Sequence, residues 1–134
     1  MSLLLDTHTI VWLTEQVPRL GRSARRRCDA ALAAGELAIP TVVFYEVGRA
    51  LQRERVAASS SVRDWRTHIL SLGVREVPLS ADIAMRASDL LNLSGDPLDR
   101  IIVATALVEQ AVLLTADRRI LDWPGQVQRL DAQR

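Results

Sequence analysis

Residues Gly95 to Ile120 read GDPLDRIIVATALVEQAVLLTADRRI. The stretch predicts a helix, a strand and a tight acidic turn. Asp96 has the chemistry of an N-cap, and Pro97 stands where a first helical residue should. Asp99 falls in the first turn, where the helix dipole favours an acid. Ile101 to Val108 is apolar nearly all round, so the helix is expected to be buried. Val112-Leu113-Leu114-Thr115 then suits a central strand of a parallel sheet, and it runs into Ala116-Asp117. One acid opens the helix and another closes the strand after it. In open α/β sheets the functional crevice lies at the carboxyl ends of the strands, and both Asp99 and Asp117 could reach that edge. Capping alone would also account for them: D-P-x-D is a good helix start, and Asp117 could cap the turn Arg118-Arg119-Ile120.

The same grammar recurs upstream. Leu3-Leu4-Leu5 reads as a buried first strand ending at Asp6, with a short helix from Thr7 to Thr14 after it. Pro18 and Gly21 break the chain. Ser23 can cap a helix running through Ala34 and closed by Gly35. Leu37-Ala38-Ile39 is a second strand, and Pro40-Thr41 opens a helix from Val42 to Glu54. Val43, Glu46, Val47 and Ala50 share one face of that helix by spacing. A carboxylate on a buried stripe is costly unless it is paired with a cation, so Glu46 calls for an arginine or a metal. Ser59-Ser60-Ser61 caps a helix through Leu72 with Trp65, Ile69 and Leu72 inward, and Gly73 ends it. Val74 to Val77 is a third strand, near an edge. Ser80 caps a helix to about Leu93, with Ile83, Ala87, Leu90 and Leu91 facing in, and Val127 to Leu130 is a last strand. Strands alternating with helices predict a three-layer α/β/α sandwich with a central parallel sheet.

The bulk properties narrow the chemistry. The chain has 134 residues, enough for one domain that buries roughly 68–70% of its unfolded surface. All 17 basic residues are arginine, and the formal net charge is +1. Without lysine there is no P-loop phosphate contact and no Schiff base. Cys28 is the single cysteine, so no intramolecular disulfide can form. The N-terminus has no basic region and Asp6 interrupts its apolar run, so no signal peptide is expected. No apolar run approaches the ~20 residues of a membrane helix. The expectation is a soluble cytoplasmic protein. Arg22, Arg25, Arg26 and Arg27 crowd the start of one helix, where they oppose its dipole; they are either tolerated surface or used for binding.

Four acids stand out: Asp6, Glu46, Asp99 and Asp117. In a parallel sheet all four can meet at one edge. Carboxylates so gathered raise one another's pKa unless a cation relieves them. Oxygen ligands suit Mg²⁺ or Mn²⁺, and no His/Cys cluster points to zinc. A carboxylate-bound Mg²⁺ activates water for phosphodiester hydrolysis. LLLDTHTIVWL, the Glu46 helix, DPLDRIIVATAL and LLTADRRI resemble, in order and spacing, the PIN-domain ribonucleases, and among them the VapC-type toxins of VapBC toxin–antitoxin modules. The resemblance extends over essentially the whole chain and implies one nuclease domain over residues 1–134. It implies an RNase dependent on Mg²⁺ or Mn²⁺ and acting on single-stranded RNA, a homodimer, and inhibition by a small VapB-type antitoxin. The family's acidic residues fall on Asp6, Glu46, Asp99 and Asp117, with Asp6 and Asp99 as direct metal ligands. Asp96 and Thr115 match positions near the site.

The chain departs from the family where histidines and an aromatic often surround the D-P-x-D-R motif. Here Asn92-Leu93-Ser94-Gly95 precedes it and Leu98 replaces the aromatic, which leaves the acids intact. His8 is expected to help cap the first helix. Arg25, Arg26, Arg27, Arg49 and Arg53 are the candidate RNA contacts. Two other readings stay open: a catalytically silent PIN-fold module that holds RNA or a partner, and an aspartyl-phosphate phosphatase. The latter would need a second Asp where His8 stands.

Overall fold

The computed structural model describes residues 1–54 and 61–134. Its strands are β1 (Leu3–Leu5), β2 (Leu37–Pro40), β3 (Arg75–Val77), β4 (Val112–Thr115) and β5 (Arg129–Asp131). The helices are α1 (Thr7–Glu15), α2 (Arg22–Ala33), α3 (Val42–Glu54), α4 (Val62–Ser71), α5 (Ala81–Asp89), α6 (Pro97–Glu109) and α7 (Arg118–Leu121). The strands form one sheet in the order β3-β2-β1-β4-β5, parallel throughout.

Alternation along the strands sorts the sheet into two faces. Leu4, Ala38, Val77 and Leu113 face Ile83 and Ala87 of α5 and Ile102, Val103 and Ala106 of α6. Leu3, Leu5, Leu37, Ile39 and Leu114 face Ile10 of α1, Cys28 of α2, Val43 and Val47 of α3, and Ile69 of α4. The result is the expected three-layer sandwich. Ile102 and Val103 are almost wholly buried, each worth about 1.5–3 kcal/mol in transfer free energy. This burial anchors α6, and with it the acids at its start.

Several boundaries differ from the sequence reading, each for a local reason. Helix α2 starts at Arg22 with Gly21 as N-cap and no side-chain cap. The Ser23 and Ala24 N–H groups instead donate to the Arg134 carbonyl oxygen, at 2.9 and 3.3 Å. Ser23 is therefore inside the helix, not its cap. Helix α5 stops at Asp89, short of Leu93. There the Arg100 guanidinium takes up the carbonyls of Ala87, Leu90 and Leu93 at 2.7–2.9 Å. Leu91 consequently points outward, 77% exposed. Strand β5 begins at Arg129, and Val127 is buried ahead of it. Ala50 and Leu72 are exposed: the inward stripe of α3 runs through Val43, Val47 and Leu51, and Leu72 is the C-cap beyond α4. Ser61 caps α4 by accepting from the Asp64 N–H at 3.1 Å; the alternatives Ser59 and Ser60 lie outside the described residues.

Candidate active site

Strand β1 lies between β2 and β4. The chain moves outward from β1 on one side and returns on the other, so a switch point falls between β1 and β4. The crevice at their carboxyl ends is where such sheets place ligands. Asp6 follows β1 directly, and Asp117 follows β4 after one residue. Helices α3 and α6 bring Glu46 and Asp99 to the same place. All four acids line one cavity of about 480 Å³, together with Thr7, His8, Trp12, Arg19, Asp96 and Arg119.

Asp6, Asp96 and Asp117 both cap helices and line the cavity, whereas Asp99 and Glu46 line it without capping. Asp6 caps α1, its Oδ1 accepting from the Thr9 N–H at 3.1 Å and the Thr9 hydroxyl at 2.6 Å. Its Oδ2 accepts from the Thr115 hydroxyl at 2.5 Å. Thr115 thus fixes the carboxylate of the neighbouring strand and serves the site through Asp6. Burial pushes the Asp6 pKa up, opposed by the hydrogen bonds from Thr115 and Thr9. Asp96 caps α6 by accepting from the Leu98 N–H at 2.8 Å, and its backbone carbonyl accepts from the Asp99 N–H at 3.0 Å. Asp117 caps α7 by accepting from the Arg119 N–H at 2.9 Å. Glu46 Oε1 accepts from the Thr7 hydroxyl at 2.6 Å. Among the described residues no arginine pairs with Glu46. The helix-start function of His8 is taken by Asp6; His8 lies against Trp12 at the cavity wall, ring centroids 6.1 Å apart.

The electrostatics are unbalanced. Burial, followed by the charge of Asp117, raises the Asp99 pKa from 3.8 to about 6, with Glu46 and Asp96 adding to the shift and Arg119 opposing it. Asp117 moves the other way, held down chiefly by its hydrogen bonds from Arg119. Among the described residues five carboxylates line the cavity against two guanidinium groups, those of Arg19 and Arg119. Hard oxygen donors and surplus negative charge fit a divalent cation. Among the described residues no three acidic, His or Cys side chains already form a cation cage. Mg²⁺ typically takes one or two carboxylates and keeps several waters, so a shared cavity satisfies it without such a cage.

The five arginines singled out from the sequence do not act as one cluster. Arg49 and Arg53 line an adjoining groove that shares Glu46 and Asp96 with the acid cavity. Arg27 instead lies beside Met1, Ser2 and Leu3, at the amino ends of the strands and away from the acids. Arg25 and Arg26 sit on the same helix and line neither the acid cavity nor its adjoining groove. The cations that do reach the cavity, Arg19 and Arg119, were not among the candidates. Arg119 belongs to the turn after Asp117, a strand end, but the sequence does not separate it from Arg118 beside it.

Comparison with known proteins identifies the family of the chain. The PIN domain family pattern matches residues 3–125. The chain is 32% identical over 120 residues to Ribonuclease VapC22 of Mycobacterium tuberculosis, spanning 89% of each protein. Among solved structures it resembles VapBC2 from Rickettsia felis bound to a promoter DNA fragment, with TM-score 0.70 and 16% identity over 98% of this chain and 100% of that one. It also resembles DNA-bound VapBC from Salmonella typhimurium, with TM-score 0.71 and 13% identity over 98% of each chain. At those identities the structural likeness is one of fold. The family pattern and the sequence relative extend over most of the chain, and they show that it belongs to the PIN-domain family.

Proposed function

We propose that this chain is a metal-dependent endoribonuclease toxin that hydrolyses RNA phosphodiester bonds and is held in check by a small VapB-type antitoxin. The observation that carries the reading is the convergence of Asp6, Glu46, Asp99 and Asp117 on one cavity at the carboxyl edge of the sheet. The relative at 32% identity is named a ribonuclease, and the solved neighbours include a toxin–antitoxin complex from Klebsiella pneumoniae, which supports the activity and the partner. Asp6 and Asp99 are the direct ligands of Mg²⁺ or Mn²⁺, with Glu46 and Asp117 completing the acidic wall. The bound ion would activate a water and neutralise charge on the scissile phosphate. Thr9 and Thr115 hold Asp6 in place, and Thr7 holds Glu46. On this reading the toxin acts in the cytoplasm as a homodimer. No helix among the described residues is long and apolar enough to cross a membrane.

The test is direct. Purified chain should cleave single-stranded RNA in Mg²⁺, and Asp6→Asn should not. A wild-type chain that binds RNA without cutting it would instead be the silent binding module.

The RNA path follows from the same layout. An acidic cavity repels a phosphate backbone, so flanking cations must guide it. Arg49 and Arg53, in the adjoining groove with exposed Tyr45, are better placed than Arg25, Arg26 and Arg27. Neutralising Arg49 and Arg53 should weaken RNA binding and flatten its salt dependence, by roughly 0.7 in slope for each phosphate left without its arginine. The Arg25/Arg26/Arg27→Ala variant should change both less. Binding measured against salt for the two variants decides it; the opposite ranking would move the RNA path to α2.

A further inference from the structure

Arg119 occupies the acid site in a specific way. Its Nη2 donates to Asp99 Oδ2 at 3.0 Å and to Asp117 Oδ2 at 2.8 Å, so one nitrogen bridges two carboxylates. Its Nε donates to Asp117 Oδ1 at 3.2 Å, and its backbone N–H caps the same oxygen. The fold also leaves room for the guanidinium. Gly95 lies against it, and a side-chain carbon there would collide with Nη1. Gly95 has φ +121°, a conformation that a larger residue adopts only under strain. By contrast, the adjacent Arg118 pairs with Asp122 at 2.8 Å and Asp131 at 3.6 Å.

We propose that Arg119 is a resident cation of the acid site, which a divalent ion must displace from Asp99 before it can bind. The inference rests on the metal-dependent reading above. Arg119 holds one of the two Asp99 carboxylate oxygens, Oδ2, so a metal on the other would set two cations on one carboxylate, where they repel each other. The guanidinium is exposed and tethered only through a flexible side chain, so it can swing out while its backbone stays in place. Arg119 thereby sets the metal concentration at which the site fills, and below that concentration it offsets part of the charge of the acid pair.

The experiment is calorimetric titration of Mn²⁺ into RNA-free protein stripped of metal, for wild type, Arg119→Gln and Arg118→Gln. Arg119→Gln should bind Mn²⁺ about tenfold more tightly, the scale of a lost charge-assisted hydrogen bond. Arg118→Gln removes the same charge next door and should bind as wild type does. Equal or weaker Mn²⁺ binding by Arg119→Gln overturns the proposal and makes Arg119 a support for the ligands. Equal tightening in both variants also overturns it, because it reduces the effect to net charge. If none of the three chains binds Mn²⁺ at millimolar concentration, the metal-dependent reading itself fails, and the proposal with it.

Discussion

Asp99→Asn is expected to abolish RNA cleavage while making the metal-free protein more stable. Asparagine keeps the size of the side chain and still accepts a hydrogen bond from Arg119. The backbone bond from the Asp99 N–H to Asp96 is untouched. What goes is the negative charge that a metal ligand needs. A loss of about a thousandfold in kcat, near 4 kcal/mol of transition-state stabilisation, is the expected scale. The stability effect has the opposite sign. The folded-state pKa of Asp99 is about 6, above its ordinary 3.8, so the fold favours the protonated acid. That contribution is fully present below about pH 4 and is lost as pH rises through 6. Ionised Asp99 is therefore a burden at pH 7.5, softened by solvent because the residue is only partly buried. The variant should melt a few degrees higher than wild type at pH 7.5 in EDTA, and the gap should close near pH 4. Thermal melts at the two pH values and a single-turnover cleavage assay check both halves. A variant with near-normal cleavage would return Asp99 to the role of a helix-start acid.

Chelation should be as damaging as that substitution, by a different route. With no divalent ion, five carboxylates face two guanidinium groups among the described residues, those of Arg19 and Arg119, and the cavity repels the phosphate it must hold. Excess EDTA should therefore raise KM and lower kcat together, leaving cleavage at background. Restoring free Mg²⁺ or Mn²⁺ should recover the full rate, because Asp6 and Glu46 are held by Thr7, Thr9 and Thr115, and Asp99 and Asp117 by Arg119, without the ion's help. Initial rates across a chelator titration and its reversal provide the measurement. Undiminished cleavage in excess EDTA would remove the metal mechanism altogether.

Those parts of the fold that rest on local chemistry were legible in the sequence. Strand β4 and the start of α6 follow from the apolar run and from Asp96-Pro97, and both are where they were expected. The meeting of the acids at one edge was legible because Asp6, Asp99 and Asp117 stand at strand ends or a helix start, and Glu46 lies on an inward helix stripe. Boundaries set by distant residues were not. Nothing near Ser23 reveals that Arg134 satisfies the α2 N–H groups, and nothing near Asp89 reveals Arg100. Arg119 was hidden for a related reason. Beside Arg118 it is chemically identical, and only the fold decides which of the two turns toward Asp99.

The hydrogen bond from Thr115 to Asp6 joins residues 109 positions apart, and β1 pairs with β4 across the same interval. Chain closure over that distance comes late, since long-range strand pairing waits on loop entropy. During synthesis β1 emerges first and stands without its β4 neighbour until most of the chain has been made. If the proposed ribonuclease activity holds, a ribosome translating this message is not exposed to a growing chain already able to cut RNA. A stalled or prematurely terminated product lacking β4 would carry Asp6 and Glu46 but neither Asp117 nor the hydroxyl that steadies Asp6. Such fragments should be harmless to the cell that makes them, and nonsense mutations ahead of β4 should be recovered as simple loss of toxicity.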